Sequence, residues 1–117
     1  MNVRRWLPPA TWAALILVLT SIPAPSGAPG GIPHLDKLVH FALYAGQGWL
    51  VTRALRSRRP LTLTSALVAI AAFAALDEWH QQFVARNPAA LDWIADVIGA
   101  SAGILAASRV RNAEPAS

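Results

Sequence analysis

Almost every ionisable side chain in this 117-residue sequence stands at an end of one of four apolar runs, and the two signs are sorted. The runs reach from about Pro8 to Ile22, Leu38 to Leu55, Leu61 to Leu76 and Trp93 to Ala107. Arg4 and Arg5 precede the first run. Arg53, Arg56, Arg58 and Arg59 separate the second from the third, and Arg109 and Arg111 follow the fourth. The opposite ends hold Lys37, Arg86, all three histidines and five of the six carboxylates. Each run is close to the ~20 residues that cross a bilayer core as a helix, and short polar flanks can lengthen each one. With 55% hydrophobic and only 14% charged residues, the chain is too apolar for an ordinary small soluble domain. The expected fold is all-α: a polytopic membrane bundle of four transmembrane helices, forming a single domain over residues 1–117.

The cations then orient the bundle. Lys and Arg concentrate on the cytoplasmic side of membrane helices, and four crossings place all eight arginines named above on one side, against Lys37 and Arg86 on the other. Both termini are expected in the cytoplasm. A net charge of +4 would suit nucleic acid, but these arginines sit at the ends of apolar segments and form no patch beside readable polar side chains. Nucleic acid is excluded as a partner. The absence of Cys rules out disulfides, Cys-type zinc sites and thiol catalysis. Arg4, Arg5, the first run and Ser26–Gly27–Ala28 also have the outline of a secretory signal peptide. The charge bias favours an uncleaved first span, followed by an extended loop rich in Pro and Gly from Pro23 to Pro33.

Three polar constellations lie at the carboxylate ends. Asp36, His40 and Tyr44 are four apart and share one face of the second helix, with Lys37 beside them. An N-terminal Asp is favoured by the helix dipole and Tyr44 suits an interface, but neither explains a histidine one turn into the span. The third run ends in Asp77, Glu78, His80 and Gln81. Consecutive carboxylates at a helix C-terminus oppose the macrodipole, so the alternative to a functional cluster is a solvated loop starting at Asp77. In the fourth, Asp92, Asp96, Gly99 and Gly103 trace one helical stripe. Asp92 can serve as a cap. Asp96 lies a turn deeper and needs a partner among Lys37, Arg86, His40 and His80, while Gly99 and Gly103 allow another backbone to approach closely. Trp79 and Trp93 read as interfacial anchors. The expectation is one external polar pocket built from Asp36, Lys37, His40, Tyr44, Asp77, Glu78, His80, Gln81, Arg86, Asp92 and Asp96.

Taken together, Asp36–Lys37–Leu38–Val39–His40–Phe41, Asp77–Glu78–Trp79–His80–Gln81–Gln82–Phe83 and the Asp92–Trp93–Ile94–Ala95–Asp96–Val97–Ile98–Gly99 helix running on to Gly103 resemble the VanZ-like family of small bacterial membrane proteins. Three ordered motifs over residues 34–107 carry the resemblance. It departs at Val84–Ala85–Arg86, where the family usually has Pro-Gly before the Arg. The resemblance implies a multi-pass protein of the bacterial inner (cytoplasmic) membrane. The family is named for a protein conferring resistance to teicoplanin, a lipid-tailed glycopeptide, so a link to membrane lipids, a lipidated glycopeptide or a lipid-linked envelope precursor is implied. It supplies no reaction.

Three functions compete. The first is a non-catalytic envelope protein whose pocket binds an amphiphile, Lys37 and Arg86 meeting a phosphate or carboxylate. The second is an intramembrane enzyme on a lipid-linked substrate, with Glu78 as base and His80 or His40 as acid. A metal version would use His40, His80, Glu78 and Asp96, but their spacing matches no local metal signature, and no metal or cofactor is expected. The third is a structural subunit whose ionic cluster pins helix packing.

Overall fold

Four helices carry the chain: α1 (Val3–Ser21), α2 (Leu35–Ala54), α3 (Pro60–Gln81) and α4 (Ala90–Arg109). They are seen in a computed structural model that describes residues 3–21, 35–81 and 90–110, with backbone alone for residues 35, 36, 81 and 90. Each extends past its apolar run into the polar flanks. Pro60 opens α3, where a residue without a backbone donor costs nothing. Asp77, Glu78, Trp79 and His80 continue α3 as helix, which removes the alternative of a loop beginning at Asp77. At the other end of the chain α1 starts five residues before Pro8. Pro8 and Pro9 deprive that first stretch of two intrahelical donors. It is held from outside instead: Arg5 Nε donates to the Ala54 carbonyl (3.1 Å) and Nη2 to the Arg53 carbonyl (3.4 Å), capping the C-terminus of α2 with a cation.

Contacts between the helices give the topology. Arg5 meets Ala54 and Trp12 meets Leu43, so α1 and α2 are antiparallel. Lys37 meets Asp92, His40 meets Asp96, and Phe41 and Ala45 lie against Gly99 and Gly103. Those numbers rise together, so α2 and α4 run parallel, as an up-down-up-down bundle requires. All the described arginines therefore gather at one end and the carboxylates at the other.

Polarity is turned inside out. Leu15 and Val18 on α1, Leu38 and Val39 on α2, Val68 and Leu76 on α3, and Ile98 and Leu105 on α4 are exposed. The interior holds Thr20, His40, Gln47, Thr52, Asp77, Asp92 and Asp96 beside Ile16, Tyr44, Ile70, Ile104 and several alanines. Soluble domains seldom bury acidic residues on this scale. Among the described residues, α3 (Pro60–His80) and α4 (Leu91–Arg109) are long and apolar enough to cross a membrane. That measure picks out two of the four expected spans. The reason lies in the sequence: α1 begins with two arginines, and α2 carries Asp36, Lys37, His40, Gln47 and Arg53 along its length.

Among the described residues the α2–α4 seam is the closest between helices. A Cβ on Gly99 would strike the Phe41 carbonyl, and one on Gly103 would strike the Ala45 carbonyl and come within 2.9 Å of the Trp49 nitrogen. From the other side, a Cβ on Gly48 would strike the Ala100 carbonyl. Backbone thus lies on backbone, the contact that small residues permit between membrane helices. The backbone that Gly99 and Gly103 admit is that of α2. Trp12 locks the other side of α2, its Nε1 donating to the Leu43 carbonyl at 2.7 Å while its ring covers Gly46.

Candidate functional site

That close seam brings the carboxylates of α4 under the polar face of α2. Asp96, 2% exposed, lies one turn inside α4, and its Oδ1 accepts from His40 Nδ1 at 2.7 Å. Of the four candidate partners for Asp96, His40 takes the role. His40 is itself 3% exposed, and its Nε2 lies 3.9 Å from Asp92 Oδ2. Lys37 Nζ stands 2.9 Å from Asp92 Oδ1. That contact is a charge pair, and among the described residues Asp92 Oδ1 has no aligned hydrogen-bond donor. Asp92 also sits in the first turn of α4, where the macrodipole favours a carboxylate. The chain Lys37–Asp92–His40–Asp96 therefore runs from a lysine side chain 28% exposed down to a carboxylate in the bundle interior.

A second carboxylate stands beside it. Asp77 of α3, 1% exposed, accepts from Thr20 Oγ1 of α1 at 2.7 Å and from Tyr44 Oη of α2 at 3.4 Å. The Tyr44 ring packs tilted against Phe73 with centroids 6.3 Å apart. Tyr44 is fully buried and serves as an internal strut, not the interfacial residue that its position also suited. Thr20 Oγ1 also lies 2.9 Å from the Ile16 carbonyl and 3.4 Å from the Leu17 carbonyl, so its single hydrogen has three acceptors in reach. Asp77 thus ties three helices together through hydroxyls, whereas Asp92 and Asp96 engage the nitrogens of Lys37 and His40.

Not all the expected residues converge. Glu78 is half-buried next to Asp77, within electrostatic reach of Asp92 and His40, and forms a rim. His80 is exposed at the end of α3, off the buried network. Arg86, and the side chains of Asp36 and Gln81, lie outside the described residues, as does the loop from Pro23 to Pro33. Among the described residues no group of three or more His, Asp or Glu is placed to hold a metal ion. Trp93 is more than an anchor: its Nε1 donates to the Ala71 carbonyl at 3.0 Å, joining α4 to α3. Thr20 was not anticipated. Its signal was present, as a hydroxyl late in the first run, level with the carboxylates.

An all-helical bundle with lipid-compatible flanks and a buried histidine–aspartate network defines a membrane protein of the kind that stores its ionisable groups between helices. The VanZ/LLP1 family model matches residues 3–111, and the chain belongs to that family. No match emerges among the curated proteins or among the solved structures.

Proposed function

We propose that this chain is a four-pass protein of the bacterial inner membrane, with both termini in the cytoplasm and the carboxylate end outward. On this reading the Lys37–Asp92–His40–Asp96 network, with Glu78 at its rim, recognises the polar head of an amphiphile at headgroup level. The protein then modulates the envelope's response to lipidated glycopeptides of the teicoplanin kind. The observation that carries the proposal is the descent of charge from Lys37 to the buried Asp96 at the end opposite the arginines. Ionisable groups held inside a membrane bundle are expensive, and they are kept mainly for pairing or function.

Topology is tested by alkaline phosphatase fusions. Fusions after Gly30 and Ala89 should be active and those after Arg58 and Arg111 inactive; activity after Arg58 would overturn the orientation. Function is tested by expressing the wild type and Glu78→Gln in a teicoplanin-sensitive bacterium, with teicoplanin and vancomycin compared side by side. Protection from teicoplanin alone, lost in Glu78→Gln, is the expected result. Equal protection from both drugs would mean a general envelope effect, and no protection would sink the proposal.

The bond between His40 Nδ1 and Asp96 also favours a second reading, an intramembrane acid–base enzyme on a lipid-linked substrate. A histidine held through Nδ1 by a carboxylate presents Nε2 in a fixed tautomer, which a general base requires. Mass spectrometry of the glycopeptide and of lipid-linked precursors from the same cells separates the two, because only turnover leaves an altered molecule.

A further inference from the structure

From Phe73, whose ring packs on Tyr44, towards the arginine end, α1, α2 and α3 do not close on one another. A cleft of about 410 Å³ opens between them, walled by Ala13, Val51, Ala66, Ala69, Ile70 and Phe73. Its size falls within the roughly 300–1,000 Å³ usual for ligand pockets. Carbon dominates the wall, so the cleft suits an alkyl chain and offers little to a polar solute.

Towards the arginines a second hollow of about 330 Å³ adjoins the cleft, sharing Trp6, Leu55 and Thr62 with it and adding Arg5, Arg56 and Ser57. An apolar slot and a basic mouth therefore stand side by side. Arg5 has five N–H donors; two are used on the Ala54 and Arg53 carbonyls, which leaves three. Arg56 is exposed beside it. The N-terminus of the 22-residue α3 begins at Pro60, and Thr62 in its first turn forms part of the mouth. Its dipole adds positive potential there.

We propose that these adjoining hollows form a binding site for one anionic phospholipid of the leaflet at the arginine end, an acyl chain lying in the slot and the phosphate at Arg5 and Arg56. The occupant follows from complementarity. A zwitterionic lipid would bring its own cation against the guanidinium groups, and a free phosphate would leave the apolar slot unfilled. The site is separate from the outer network, so it stands or falls independently of the function proposed for that end. Its position between α1 and α3 also gives it a structural consequence. The lipid would fill the space that these two helices leave open and would bridge the arginine clusters that precede α1 and follow α2.

Native mass spectrometry tests the proposal on the full chain, released from detergent after equilibration with phosphatidylglycerol and phosphatidylcholine of identical chains. The wild type should retain one phosphatidylglycerol per protein, with about thirtyfold preference over phosphatidylcholine, as two basic residues near an anionic head group imply. Arg56→Glu alters an exposed side chain and should abolish the headgroup preference while some lipid is still retained. Ala69→Trp fills the slot from its exposed edge and should abolish retention of both lipids. Circular dichroism and size exclusion confirm that both variants fold. Equal retention of the two lipids by the wild type would overturn the site. Phosphatidylglycerol retention unchanged in both variants would do so too, since it would mark non-specific annular lipid.

Discussion

Gly103→Leu is expected to abolish folded protein almost completely. Its new side chain would have to occupy space already taken by the Ala45 carbonyl and the Trp49 nitrogen, which belong to the backbone of α2. Overpacking a core where side chains can shift costs about 1–3 kcal/mol. Here there is no side chain to shift, so α2 and α4 must separate, and the cost exceeds that range. Separation would also pull His40 from Asp96 and Lys37 from Asp92, since those pairs span the same seam. Gly48→Leu should do the same from the α2 side, against the Ala100 carbonyl. Gly103→Ala should give an intermediate loss. Ala102→Leu, on the exposed face of α4, should behave as wild type. The measurement is the yield of monodisperse protein in mild detergent with its thermal midpoint. A wild-type midpoint for Gly103→Leu would mean that α2 and α4 do not pack backbone to backbone at Gly103.

The legibility of this seam was uneven, and the reason is physical. On α4 the stripe Asp92, Asp96, Gly99, Gly103 announces itself, because two glycines four apart have few uses other than close approach. The matching stripe on α2 is Phe41, Ala45, Gly48, Thr52, with the same spacing but a single glycine, and nothing in it names a partner. Sequence spacing gives each helix its faces. It does not give the rotation that sets one face against another, and that rotation decides whether Asp96 meets His40 or one of the other cations. The same limit hid the pairing of Tyr44 with Asp77 and the contribution of Thr20, which depends on α1 and α3 lying side by side. His80 shows another limit of the same kind. Its motif grouped it with Asp77, yet the last turn of α3 leaves it exposed.

Helix α2 explains why a bundle with such a polar core holds together. In lipid no hydrophobic force draws helices to one another, so packing and interhelical hydrogen bonds must do so. α2 makes such contacts with all three of its neighbours. Its Leu43, Arg53 and Ala54 carbonyls accept from Trp12 and Arg5 of α1, Tyr44 reaches Asp77 of α3, and Lys37 and His40 reach the carboxylates of α4. The low apolarity of α2 and its central position are thus one fact. α2 can carry Lys37 and His40 because the carboxylates of α4, not lipid, face them, while Gln47 and Thr52 are buried with Gln47 Oε1 and Thr52 Oγ1 unpartnered among the described residues.

The second large effect lies in that network and separates packing from function. His40→Leu is expected to cost about 3–5 kcal/mol, the penalty for stranding one member of a buried ionic pair. It removes the hydrogen-bond partner that Asp96 has among the described residues, at 2% exposure. Asp96→Leu should cost less, because His40 keeps Asp92 at 3.9 Å. The double variant His40→Leu/Asp96→Leu should be more stable than the sum of the singles predicts, with a coupling of about 0.5–3 kcal/mol, since an apolar pair needs no partner. Thermal unfolding of the four proteins in one detergent gives the cycle, and strictly additive losses would deny that the pair is formed. The double variant then answers the larger question. If the network recognises a ligand, this variant should fold and yet give no protection from teicoplanin in the sensitive host. If it folds and protects as fully as the wild type, the histidine and the aspartate serve only to hold α2 against α4, and the proposed site must be given up.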